Sequence, residues 1–378
     1  MNEKQLLIFL QQAFAAENLG ADVVRAVMPQ MRQALANIQS VVENLPDDSL
    51  IRKMLWQQSL PDVVQAFEPY NEALGTELIT QMAEHAPEQI ETAKRFLEAG
   101  APGQPLVTPE LPSSVATRMA ANTEFVNTKL VDLFSTAKGP SPFMVKNAER
   151  INKIVQRGIF QNQTTQQIAS DLQTMAAKIT RSEAFTIART SIQSFNNTTN
   201  NDVWSANEHL IDKWEWVAAL DSKTCPICAP EDGQVRDKRR DFPRQPPAHP
   251  NCRCQILPYW EDQAVRQRPA QQVYKEEQSG ARAYKTQVKV KGEKFYRKAV
   301  DVQPVNGKAA TYADFIAKAN STTKQTFFGG GNAGRVRAER FDALNARYKD
   351  PQRALNALVN TSTGGFKKLD RLPTLEKS

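Results

Sequence analysis

Cys225, Cys228, Cys252 and Cys254 are the four cysteines of a 378-residue chain, and all lie in one stretch, Trp214 to Pro258. His249, one of three histidines, sits beside the second pair. Cys-x-x-Cys puts two sulfurs at the tip of a tight turn, within reach of one tetrahedral ion, and the later His-x-x-Cys-x-Cys offers three more donors. Five candidates compete for four places. The spacing predicts a closed structural zinc site built from Cys225 and Cys228 with two of His249, Cys252 and Cys254, leaving no open position for catalysis. A C2H2 finger would need His-x3-5-His in its second half, which is missing here. Two other chemistries fit the same residues. Paired disulfides suit an oxidising compartment. A redox Cys-x-x-Cys normally opens a helix, whereas Pro226 and Pro230 favour a turn.

The elements that must position these donors are short. Lys213 to Val217 alternates around Trp214 and Trp216 and reads as a strand whose indoles cover one side of the module. Asp232-Gly233 supplies the turn between the knuckles, and Pro243, Pro246, Pro247 and Pro250 keep the return strand irregular. A module this small buries little core, so a staple is physically expected. Upstream, residues 181–210 form a polar helix carrying Arg181, Glu183 and Arg189. Arg189, if buried, would organise a contact to a carboxylate or to backbone carbonyls of the knuckle. No general base accompanies Arg189, and no motif pairs His209 with a nucleophile, so no catalytic residue and no enzyme activity are predicted.

Taken in order, Ala188-Arg189-Thr190, Trp214-Glu215-Trp216, Asp221-Ser222-Lys223-Thr224-Cys225-Pro226-Ile227-Cys228, Asp232-Gly233 and Pro247-Ala248-His249-Pro250-Asn251-Cys252-Arg253-Cys254 resemble the phage Mu protein F-like domain. That domain occurs in the minor head (head morphogenesis) proteins of tailed bacteriophages, and the resemblance covers about residues 140 to 260. It implies a structural role. A few copies join the portal and procapsid during assembly, stay in the head, and in some members touch packaged DNA. The implied partners are portal and major capsid or scaffold proteins. The implied place is the virion, in the head interior or at the portal vertex, with the host cytoplasm during assembly. Arg189, Trp214, Trp216 and Asp221 then read as structural residues. Relatives can carry toxin or effector domains behind this region, which makes an enzyme in residues 260–378 the alternative. Those residues contain neither His nor Cys, and no nucleophile motif or acidic pair stands out. A DNA-binding module is a third reading.

Length and charge bound the rest. A chain of 378 residues is expected to form two or three domains. With 40% hydrophobic and 24% charged residues and no apolar run of membrane-spanning length, no membrane is expected as a partner. The start, MNEKQLLIFLQQAF, has neither a basic n-region nor a small-residue cleavage site, so a secretory signal is not expected and the thiols are expected to stay reduced. The net charge of +7 is unevenly spread. Residues 1–100 hold 7 Lys+Arg against 14 Asp+Glu, a net of −7, while residues 221–378 hold 30 against 17, a net of +13. A basic half of that size suits double-stranded DNA, because neutralised phosphates release counterions, and it equally suits a solubilising surface.

The predicted fold class is mainly α: a helical N-terminal domain and long helices, a small α+β Cys/His metal-knuckle module, and a basic hairpin-plus-helix C-terminal region. The predicted divisions are an acidic helical domain at 1–100, a Pro/Gly-rich linker at 101–112, a Mu F-like domain at 113–260 with its knuckle at 214–258, a basic region at 261–360 and a flexible tail at 361–378. Pro87-Glu88 is read as a helix start, Ser113 to about Ala137 as one long helix, and Thr164-Thr165 as the cap of a short one. Tyr284–Val290 and Lys294–Val302 read as a basic hairpin. Gly329-Gly330-Gly331 reads as a turn, since no Gly-Lys-Ser/Thr follows it.

Overall fold

A computed structural model describes residues 2–46, 48–125, 127–221, 224–261, 311–360 and 365–373, together with the strand backbone at 269–271, 285–290, 293–298 and 302–304. The chain opens with α1 (Glu3–Ala26), which Asn2 caps by accepting from the Gln5 amide while the Gln5 side chain accepts from the Asn2 amide. Near its start Phe9 is buried, and the side chains of Leu6, Leu7, Leu10 and Phe14 lie outside the described residues. Pro29 falls in the first turn of α2 (Met28–Glu43), where its missing N–H is no loss, and so separates α2 from α1. Asp48 caps α3 (Ser49–Gln58), and α4 (Leu60–Gln65) leads into α5 (Glu68–Gly100).

Pro87 does not start a helix; it lies inside the 33 residues of α5. The proline removes one backbone hydrogen bond, but it is exposed, so the freed carbonyl can be hydrated. Wholly buried neighbours on both sides, among them Met82, Ala86, Ala93 and Leu97, hold the two halves in line.

Residues 101–112 connect α5 to α6 (Ser113–Ala121), and the long helix expected to follow is broken up. A two-residue ladder, β1 (Glu124–Phe125) with β2 (Thr128–Lys129), turns at Asn127 (φ 64°) and is followed by α7 (Leu130–Phe134). Asn tolerates the left-handed region, and the run Asn122-Thr123 ahead of it favours ending a helix.

Next come α8 (Pro142–Phe160), capped by Ser141, and α9 (Thr165–Asp171), whose Thr164 and Gln167 form the expected capping box. A π turn, Leu172–Ala176, joins α9 to α10 (Ala177–Ala206). One apolar core runs through α1, α2, α5, α8 and the first half of α10, with Val42, Leu74, Leu78, Met82, Val155 and Ile187 at 0–1% exposure. It is continuous across the 101–112 connection.

The knuckle module follows. β3 (Lys213–Val217) is the centre strand of a three-stranded antiparallel sheet, flanked by β5 (Val235–Arg236) and β6 (Gln255–Tyr259), with β4 (Leu220–Asp221) between β3 and the first knuckle. β4 pairs in parallel with β7 (Pro269–Gln271), which also pairs with β10 (Val302–Pro304). The basic hairpin forms as β8 (Lys285–Val290) against β9 (Glu293–Lys298); its turn, at 291–292, lies outside the described residues.

The C-terminal unit packs α11 (Tyr312–Lys318), α12 (Ser321–Phe327), α13 (Gly331–Tyr348) and α14 (Pro351–Leu358) around Phe315, Phe328, Phe341 and Leu355. Gly329, Gly330 and Gly331 have φ of 106°, 67° and 54°, so the turn between α12 and α13 needs residues without a Cβ. Residues 365–373, expected as flexible tail, fold back onto this unit. β12 (Gly365–Phe366) pairs with β11 (Val359–Asn360), Leu372 is buried, and Arg340 donates to the Pro373 carbonyl. Phe366, the one aromatic residue of this segment, packs edge-on against Phe327 and tilted against Phe328, contacts with residues far back in the chain that the local sequence does not reveal.

Candidate metal centre

The first knuckle is a tight turn, as its prolines require. The amides of Cys228 and Ala229 both donate to the Cys225 carbonyl, and the Cys228 amide also approaches Cys225 Sγ at 3.4 Å. Such N–H contacts stabilise a thiolate and fix the sulfur's direction. The second knuckle closes on itself through Cys252 N–H to the His249 carbonyl, 3.1 Å.

All five predicted donors come together, as two groups of three that share Cys228. Cys225, Cys228 and His249 form one group, Cys228, Cys252 and Cys254 the other, and within each the ligand atoms lie within 4.8 Å of one another. Cys228 Sγ is 3.4 Å from His249 Nε2 and 3.8 Å from Cys252 Sγ. Around a tetrahedral ion with metal–sulfur and metal–nitrogen bonds of about 2.3 and 2.0 Å, those edges would be roughly 3.5 and 3.8 Å. The separations therefore fit ligands of one ion. The sulfur–sulfur distance is far beyond the ~2.05 Å of a disulfide, and all four cysteines are free thiols. These groups can hold a metal ion. His249 offers Nε2 to the cluster while Nδ1 lies 2.8 Å from the Pro250 carbonyl, the outer contact that fixes a ligating imidazole's tautomer.

Protonation is distributed unevenly. The Cys225 thiol is drawn down to about 5, chiefly by its hydrogen bond with Cys228, with His249 adding to it against the cost of burial. Cys228 goes the other way, its proton retained by hydrogen bonds with Cys225 and Cys252. Burial would depress His249, yet the contacts with Cys225 and Cys252 raise it to about 10. A cation among these donors would displace the shared protons and take over their charge balance.

Three supports hold the centre. On one side, α10 reaches it with polar side chains: Asn251 N–H donates to Thr190 Oγ1 at 2.8 Å, and Asn197 Nδ2 donates to the carbonyls of Pro246 and Cys254. Asn251 itself is left-handed, φ 61°, a conformation Asn accepts. Beneath lies an apolar layer. Trp214 packs on Trp204 of α10 and Trp216 on Phe242, and both are buried in the same cluster as Cys228, Cys252, Cys254 and Phe96 of α5. β3 is buried on both faces; by the two-residue period the two indoles share one face, and Glu215 and Val217 occupy the other.

The third support was not legible in the sequence. Asp232, wholly buried, accepts from Ala218 N–H through Oδ1 and from Tyr312 N–H, the first residue of α11, through Oδ2, each at 2.6 Å. It thus ties the module to the C-terminal unit. Next to it Gly233 has φ 79°, and a Cβ there would meet Thr311 Cγ2 at 2.7 Å. Gln352 of α14 donates to the Pro230 carbonyl, and Leu220 and Ala229 belong to the C-terminal core. The Asp-Gly pair looks like an ordinary turn signal; only its burial reveals the joint.

Arg189 forms an ion pair with Glu17 of α1 at 3.0 Å and lies over the Phe185 ring, while its neighbour Thr190 makes the contact to the second knuckle. The backbone of Asp221 is in β4, and its side chain lies outside the described residues.

Residues 149–257 match the family model of Phage Mu protein F like protein. The match spans α10, β3 and all five donors. No curated protein and no solved structure matches. Among the described residues no helix is long and apolar enough to cross a membrane.

Proposed function

Residues 149–257 are a Phage Mu F-like domain, and from that premise we propose that the protein is a structural, non-enzymatic component of a tailed-phage head. It joins portal and capsid or scaffold proteins during assembly and stays in the virion. The observation that carries the reading is the family match, which runs through the module and the helix that holds it. In this reading the module takes zinc: thiolates with one imidazole are the donor set zinc prefers, and Cys228 with three of the other four donors would make a closed, non-catalytic site. Its contribution is to fix the two knuckle loops against the apolar layer of Trp214, Trp216 and Phe242.

The basic C-terminal half lies along packaged DNA in this reading. What supports it is the charge excess after residue 220 and the register of the hairpin. Lys285 faces Lys298 and Lys289 faces Lys294 across the ladder, and the two-residue period assigns these four positions to one face. Like charges directly opposite are unfavourable unless an anion neutralises them.

The test is mass spectrometry of purified heads from the parent phage. The protein should appear at a few copies per head and be lost from heads when Cys228→Ser is introduced. Its absence from heads containing portal and capsid protein would overturn the proposal.

A further inference from the structure

An open groove of about 600 Å³ runs between α8 and the junction of the π turn with α10, closed at one end by Pro250 of the second knuckle. Phe125, Met175 and Ile179 give it an apolar lining, and Lys146, Arg150 and Lys178 surround them. Met175 and Ile179 are four residues apart and 39% and 37% exposed, although both are large and apolar. The cations outnumber the anions. Lys146 and Arg150 both pair with one buried carboxylate, Glu183, and burial lowers the pKa of each, with Arg150 adding to the effect on Lys146. Lys178 is exposed and has no ion-pair partner among the described residues.

We infer that this groove is a docking site for an acidic amphipathic helix of another head component. The inference rests on the head-protein reading and adds the partner's chemistry. An apolar strip at i, i+4 spacing between two helices is the complement of a helix that inserts one apolar face. The surrounding cations then select carboxylates on the flanks of that face. DNA is the poorer occupant, because phosphates would meet an apolar lining and the Glu183 carboxylate. The π turn contributes directly: Leu172 and Ala176 go into the core while Met175 is left outside at the groove. Such wide turns recur at functional sites.

The experiment uses whole phage heads. A photo-cross-linking residue replaces Ile179, and Lys178→Glu and Lys178→Arg are compared with wild type for copies per head and for melting temperature. The cross-linked segment should come from another head protein, carry more Asp and Glu than Lys and Arg, and repeat apolar residues at helical spacing. Lys178→Glu should lower incorporation about tenfold without changing the melting temperature, and Lys178→Arg should restore it. Normal incorporation of Lys178→Glu, or a cross-link to DNA, to a second copy of this chain or to a basic segment, would overturn the groove assignment while the head reading stands. Wild-type protein absent from heads would instead remove both.

Discussion

In the core shared by α1, α2, α5, α8 and α10, Val42, Leu74, Leu78 and Met82 are wholly buried and need no polar partner. In the module at 214–260, the buried side chains include Cys228, Cys252, Cys254, Asp232, Glu215 and Gln255, whose polar atoms must be satisfied or coordinated. The helical region is held by area removed from water. The module adds to its apolar layer donors and tethers placed at particular atoms. Loss of one methyl group weakens the first by degrees, whereas loss of one donor or one ion disables the second.

The largest expected effect that sharpens this contrast is Cys228→Ser. Cys228 is the member common to both donor groups, so the substitution should abolish metal binding and destabilise the module by on the order of 5 kcal/mol, read by metal content and hydrogen exchange. Leu78→Ala should cost about 2–5 kcal/mol through the cavity it leaves, with the same loss in the presence and absence of a chelator. A chelator-dependent cost for Leu78→Ala would erase the distinction between the regions.

Asp232→Asn removes one of two charged acceptors and should cost about 2 kcal/mol. Its signature is selective loss of protection in 311–373, because Tyr312 N–H loses its carboxylate partner. Full protection there would mean that Leu220, Ala229 and the Gln352–Pro230 hydrogen bond suffice to dock the C-terminal unit. Asn197→Ala, which loses the contacts to Pro246 and Cys254, should cost about 1–2 kcal/mol and weaken metal affinity. Smallest is Ser191→Ala on the same helix: Ser191 Oγ is buried with no partner among the described residues, so the change should be neutral or stabilise by up to about 1 kcal/mol in thermal melts.

The same contrast explains what could be read from the chain alone. The clustering of the five candidate donors was legible because their spacing is a local pattern, and the Thr164 capping box was legible for the same reason. The mainly α class is legible in the helical spacing of Met31, Leu35, Ile38 and Val42 in α2 and of Ile151 and Val155 in α8. Helix 181–210 was read as polar, yet Thr190, Gln193, Asn196, Asn197 and Asn200 of α10 are buried. Their partners are remote: Asn200 accepts from Gln89 on α5, 111 positions away, and Asn197 reaches 57 positions forward to Cys254. Periodicity counts apolar side chains and cannot see a buried face made of amides and hydroxyls. Pro87 misled for the opposite reason, since tertiary packing decided a backbone that local propensity left open, whereas the break at Asn127 follows from a local signal, Asn122-Thr123, that the long-helix reading passed over.

The most direct test is amide hydrogen exchange before and after chelation of purified protein, with the metal released measured in the same sample. About one zinc per chain should be released, with exchange accelerating in 214–260 and 311–373 while α5 and α8 remain protected. Folded protein that contains no metal, or chelation that loosens α5 and α8 as much as the module, would contradict a metal staple that serves one region and its docked C-terminal unit.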